Sequence, residues 1–219
     1  MTTPTYTMDA NEVVVGTPNG PGLYLAPAGT APPADTSSAW PSPWSILGYI
    51  SDDGPTVGQN TNKQDLTPWQ SIAPIRSVIT GREVTLKFIL WQLNAQTLAL
   101  YFDTDPPTPN ADGSLSMDVR TDQSGHLYAV GIDSADGDSV LRIAFSRASL
   151  SDAGDMQITR GATVPLECTL TALEDNGSLA TILVGSASGA LTRTPSGNGT
   201  GAPAAGNGGT SPTAKSRAA

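Results

Sequence analysis

The stretch that most constrains the fold runs from Gly81 to Asp103, GREVTLKFILWQLNAQTLALYFD. Val84, Leu86, Phe88 and Leu90 alternate with Thr85, Lys87, Ile89 and Trp91, the period-2 pattern of a strand with one buried face. Asn94 stands where an N-cap belongs, and Ala95, Leu98 and Phe102 share one face of the helix that follows. Thr104-Asp-Pro-Pro ends that helix, because the residue before a proline avoids the helical region. The helix covers about residues 94–102, and it is the only one the sequence predicts. One helix lying on an otherwise β chain is a narrow description.

The remaining segments read as short strands between turn signals. Val13–Val15, Leu23–Ala26, Trp44–Ile50, Leu127–Ile132, Leu141–Phe145, Met156–Ile158, Val164–Leu173 and Thr181–Val184 are strand candidates. Thr56–Pro74 is long and polar, with Trp69 its one large apolar anchor, and is either an extended hairpin or a functional loop. Ile75–Leu90 has two strand-like halves around Thr80-Gly-Arg-Glu, a step that is either a turn or a bulge in one long strand. Asp133-Ser-Ala-Asp-Gly-Asp reads as a tight acidic turn. Strands at this spacing make the chain mainly β, an antiparallel sandwich or barrel flanked by one helix.

Charge divides the chain. Charged residues are only 14% of the 219, against a usual ~25%, which suggests a surface covered by neighbours. Residues 1–185 carry 8 basic and 20 acidic groups, a formal −12. Such a body lacks the basic patch with which nucleic-acid readers neutralise phosphates. From Ser186 onward there is no acid, and 28 of the last 34 residues are Gly, Ala, Pro, Ser or Thr. That composition has too little apolar surface to offset ordering entropy, so 186–219 is expected to be a flexible tail. Residues 1–12 are polar and read as an arm without signal-peptide character, and no apolar run reaches membrane-span length, so a soluble protein without a membrane partner is expected.

Catalytic chemistry finds no footing. His126 is the only histidine, Cys168 the only cysteine, and no Gly-x-Ser-x-Gly turn is present. One His and one Cys cannot build a zinc site within one chain. Asp133, Asp136 and Asp138 depart from the spacing of a calcium loop. Cys168 falls in phase with Val164, Leu166 and Leu170, as a small buried hydrophobe does. No enzyme, cofactor or metal is expected. Trp40 and Trp44 bracket Pro41-Ser-Pro43 and could stack on sugars, which keeps a carbohydrate- or surface-binding sandwich as the alternative reading.

The order of these elements resembles the major tail tube proteins of long-tailed phages. The resemblance is carried by Gly22-Leu-Tyr-Leu, Leu47-Gly-Tyr-Ile-Ser-Asp-Asp-Gly and the arginine-containing Ile75–Leu90 strand pair running into Asn94-x-x-Thr-Leu-Ala-Leu-Tyr-Phe. Arg142-Ile-Ala-Phe-Ser-Arg-Ala and Asp155-Met-Gln-Ile-Thr-Arg-Gly follow in order, and the resemblance spans roughly residues 10–185. It implies a tail tube domain at 13–185 between the 1–12 arm and the 186–219 tail. It further implies six-membered rings whose inner strands join around a channel, stacked rings, and genomic DNA passing through without specific binding. The implied partners are other copies of the chain and the tape-measure, tail-terminator and distal tail proteins, assembled in the host cytoplasm into the virion. Residues 1–12 and 51–74 are the candidates for joining rings, and Trp69, Arg82 and Trp91 are the subunit-interface candidates. A secretion-system tube protein would share this architecture. The Val84 face is expected to belong to the core, and the Thr85–Trp91 face to be covered by the helix or by another subunit.

Overall fold

The computed structural model describes residues 15–16, 22–119, 121 and 125–186. The 1–12 arm, most of the Val13–Val15 strand and nearly all of the 186–219 tail lie outside the described residues. The strands are β1 (Leu23–Pro27), β2 (Ser45–Ile46), β3 (Thr56–Leu66) and β4 (Arg76–Leu90), followed by helix α1 (Ala95–Tyr101). Then come β5 (Thr108–Pro109), β6 (Leu115–Ser116), β7 (Leu127–Asp136), β8 (Ser139–Ala153), β9 (Leu166–Ala172) and β10 (Thr181–Ser186). The chain is thus mainly β and antiparallel with one helix, as its alternating pattern predicts.

The main sheet runs β2–β1–β7–β8–β9–β4–β3. It also closes on itself. Residues 45–47 pair with β1, where Leu47 N–H donates to the Leu23 carbonyl at 2.9 Å. Residues 49–51 then pair with β4: Trp91 N–H donates to Tyr49 O and Ser51 N–H to Ile89 O, both at 2.9 Å. Gly48, at φ +106, makes the step between the two partners; a Cβ there would strike the Gln92 side chain. The expected Trp44–Ile50 strand is therefore two short pairings joined at a glycine. Closure removes two exposed edges. β8 lets the sheet curve by changing neighbours along one edge, with β10 over Ser139–Ala144 and β9 over Ala148–Ala153.

The closed sheet surrounds an apolar core of Leu23, Leu47, Leu86, Phe88, Leu90, Val130, Phe145, Leu166, Cys168 and Leu170. The Val84–Leu90 alternation supplies three of these, so that face is the core face. α1 packs on β8 and β9 and drives Leu100 into the same core. Its buried residues are Thr97, Ala99 and Leu100; of the expected stripe of Ala95, Leu98 and Phe102, Leu98 packs half-buried against the core. The cap explains the rotation. Asn94 Oδ1 accepts from the Gln96 and Thr97 amides at 2.9 Å, and Thr97 Oγ1 accepts from Asn94 N–H and donates to Gln92 O. Thr97 must therefore face inward, and Leu100, three residues on, follows it.

A second, smaller cluster lies on the outer face of β1 and β7, where the 27–44 loop folds back. Trp44 and Ala26 pack with Ala129, and Trp40 and Tyr24 close over them. The Trp40 ring lies against Gly131, where any side chain would collide with it. Arg142 and Asp133 sit opposite one another on β8 and β7 beneath this loop. The tight turn is Gly137-Asp138 alone, so Asp133 is not a turn residue but a buried strand residue. Met156–Ile158 is not a strand either. β8 has already ended at Ala153, and Met156 instead tucks its side chain against the core.

Candidate assembly surface

The most unusual element is the ribbon made by β3 and the first part of β4. The two strands pair from Thr56–Lys87 to Leu66–Arg76, with a bulge at Thr80 that leaves one continuous β4. Both open choices in the sequence are thereby decided, toward an extended hairpin and toward a bulged strand. β9 pairs only with Thr85–Leu90, so residues 76–84 have β3 as their one strand partner among the described residues. Nearly every side chain of the ribbon is exposed on both faces, including Leu66, Val78 and Ile79. A two-stranded ribbon with no buried face is marginally stable in water.

The tip that joins the strands is held by its own backbone. Ile75 N–H donates to Leu66 O at 2.9 Å, and Ser71 N–H to Pro68 O at 3.2 Å. Its large side chains point outward: Trp69 and Ile72 are fully exposed and Ile75 is 73% exposed. A second exposed apolar group, Ile46, Tyr49, Trp91 and Leu93, lies where the 45–51 segment meets the end of β4.

Trp69, Arg82 and Trp91 are not brought together. They mark the tip, the middle and the far end of the ribbon-forming strand pair, and each is exposed. The helix does not cover the Thr85–Trp91 face, because α1 lies on β8 and β9 with its Leu100 in the core. That face instead carries an ion pair between Lys87 and Glu167, which holds the lysine pKa above its ordinary value. Ile72, Ile75 and Tyr49 escaped the sequence reading. The one signal for Ile72 and Ile75 is that Thr67–Ile75 contains no charged residue, and Tyr49 has no such signal.

The titratable groups have structural roles. Arg142 Nε and Nη2 donate to the two Asp133 oxygens at 2.6 and 2.9 Å, and Nη1 donates to the Asp35 and Ser38 carbonyls at 2.7 and 3.0 Å. Trp40 Nε1–H adds a bond to Asp133 Oδ2 at 2.8 Å, and the guanidinium lies 4.9 Å from the Trp40 ring centroid. The pair thus locks the 35–40 segment onto the barrel. Cys168 is fully buried, and desolvation, reinforced by Glu167, pushes its thiol up to about 12. His126 opens β7 beside Asp103 and Asp105, and Tyr128 donates to Asp103 at 3.1 Å. Among the described residues, no group of three His, Cys, Asp or Glu could hold a metal ion. Trp44 is buried, and Trp40 stacks on Tyr24 at 4.7 Å and packs on Trp44 at 4.6 Å, so neither offers the open indole face that sugar stacking needs.

The described residues thus form an antiparallel barrel that leaves a long, apolar-tipped ribbon uncovered. The chain belongs to the phage tail tube protein family, whose model matches residues 6–188. The sequence matches no curated protein.

Proposed function

We propose that this chain is the ring-forming subunit of a long-tailed phage tail tube, assembling as stacked hexamers around a channel for genomic DNA. Family membership supplies the tail tube role. The observation that carries the reading further is the naked ribbon: residues 56–66 and 76–84 need cover, and a ring of identical copies provides it. Among the described residues the outer edge of β3 has no strand partner and is open to pairing with a neighbour's strand. The low charge fraction agrees with a surface mostly spent on contacts. A net acidic body suits a conduit, since like charge keeps DNA from sticking within a Debye length of about 8 Å.

In this reading residues 13–185 are the tube domain, 1–12 an arm toward the next ring and 186–219 a surface tail. Trp69, Arg82 and Trp91 lie in subunit contacts, and the tape-measure, terminator and distal tail proteins bound the tube. Negative-stain microscopy of the purified protein tests this. Hollow tubes of uniform diameter with six-fold end views are expected; monomers alone, even with the other tail proteins supplied, would refute it.

A further inference from the structure

We propose that the ribbon tip of one copy seats in an apolar cleft at the foot of the ribbon of a second copy, joining subunits head to tail. This rests on the tube reading and names the residues of one of its contacts. The cleft encloses about 660 Å³ at the barrel end beside the β7–β8 hairpin. Ile50, Val57, Ile132, Leu141 and Ile143 give it an apolar lining, interrupted by Ser51, Asp133 and Ser134, and Asp52 and Asp53 stand exposed at it. Ile132 and Ile143 also belong to, or pack on, the main core, so among the described residues the cleft lies at an open end of that core.

Three features of the chain point to a second copy as the occupant. First, the tip is the apolar counterpart: Trp69, Ile72 and Ile75 project from a stretch without any charge. An indole with an isoleucine side chain is of the size that a cleft of several hundred Å³ encloses. Second, the charges complement each other. The residues flanking the tip, Lys63, Asp65 and Arg76, sum to +1, while the cleft carries Asp52 and Asp53. Third, the tip cannot fill its own cleft. Val57 lies at the base of β3 and Leu66 at its tip end, and nine strand steps at the usual rise separate them by about 30 Å of paired, extended backbone. A second copy is therefore required. Knob and hole are different patches, so the contact is heterologous and propagates instead of closing as a dimer.

The test places p-benzoylphenylalanine at position 69 of the full chain and assembles tubes from equal amounts of light and ¹⁵N-labelled protein. After irradiation and digestion, mixed-isotope crosslinks from residue 69 to residues 50–57 or 132–143 are expected. Tubes that form with crosslinks to other surfaces, with single-isotope crosslinks only, or with none overturn the inference and leave the tube reading standing. If the wild-type chain forms no tubes, both fall. A mutant cycle gives a second measure. Trp69→Ala and Leu141→Ala should each raise the critical assembly concentration at least tenfold, and the double variant should raise it little beyond either. Independent, multiplicative effects would contradict the contact.

Discussion

Asp133 and Arg142 show how a residue's role depends on register. Asp133-Ser-Ala-Asp-Gly-Asp looks like one acidic turn because Asp-Gly is a turn signal. Once the turn is fixed at Gly137-Asp138, pairing proceeds from Asp136–Ser139 down to Asp133–Arg142, and the acid meets its partner. The pairing was thus latent in the sequence but depended on choosing one turn position among several. Arg142→Ala leaves Asp133 charged and buried, a loss of about 3–5 kcal/mol expected for breaking such a pair. Urea unfolding would measure it; a loss below 1 kcal/mol would mean that water reaches Asp133. Cys168 was legible from its phase with Leu166 and Leu170, and it is buried as that phase predicts. Its folded thiol titrates near 12 against an ordinary 9.0. The associated stability is complete below pH 9 and is lost as pH rises from there toward 12, because only the unfolded chain can release the proton. Iodoacetamide at pH 8 should therefore label Cys168 only in denaturant, as mass spectrometry would show.

At the scale of elements, the strands with clean alternation were legible and those that depend on tertiary partners were not. Val84–Leu90 is a core strand because every second residue is large and apolar. Helix α1 was legible in extent from Asn94, but its buried face follows from the Thr97 hydroxyl, which the apolar stripe does not encode. Barrel closure was illegible because it rests on backbone bonds at Leu47, Ser51 and Trp91, to which side-chain pattern contributes nothing. Trp91 is a subunit-interface candidate in the sequence, and in the single chain it is 38% exposed beside Tyr49. Trp91→Ala should change unfolding free energy by no more than about 1 kcal/mol, as for a surface substitution. The same variant should raise the concentration needed for tube assembly roughly tenfold or more, as loss of an interface aromatic does. Sedimentation of assembled material alongside thermal melts separates the two effects, and a large melting loss with normal assembly would reverse the assignment.

For the whole molecule, the division of labour is between a barrel that satisfies itself and a ribbon that does not. The barrel buries its core, closes its sheet and, among the described residues, leaves no buried side-chain polar atom without a partner. The ribbon extends Trp69, Ile72, Ile75 and Ile79 into solvent with little of its own to cover them. Low charge and a polar 56–74 segment hinted at covered surface in the sequence, but which surface emerges only from where β9 stops along β4. The tube reading requires that assembly, not the isolated fold, covers the ribbon. Hydrogen exchange read by mass spectrometry, comparing unassembled subunits with tubes, tests it most directly. Amides of residues 56–66 and 76–84 should exchange at least tenfold more slowly in tubes, while those of 85–90 stay protected in both states. Equal ribbon exchange in the two states would contradict the account.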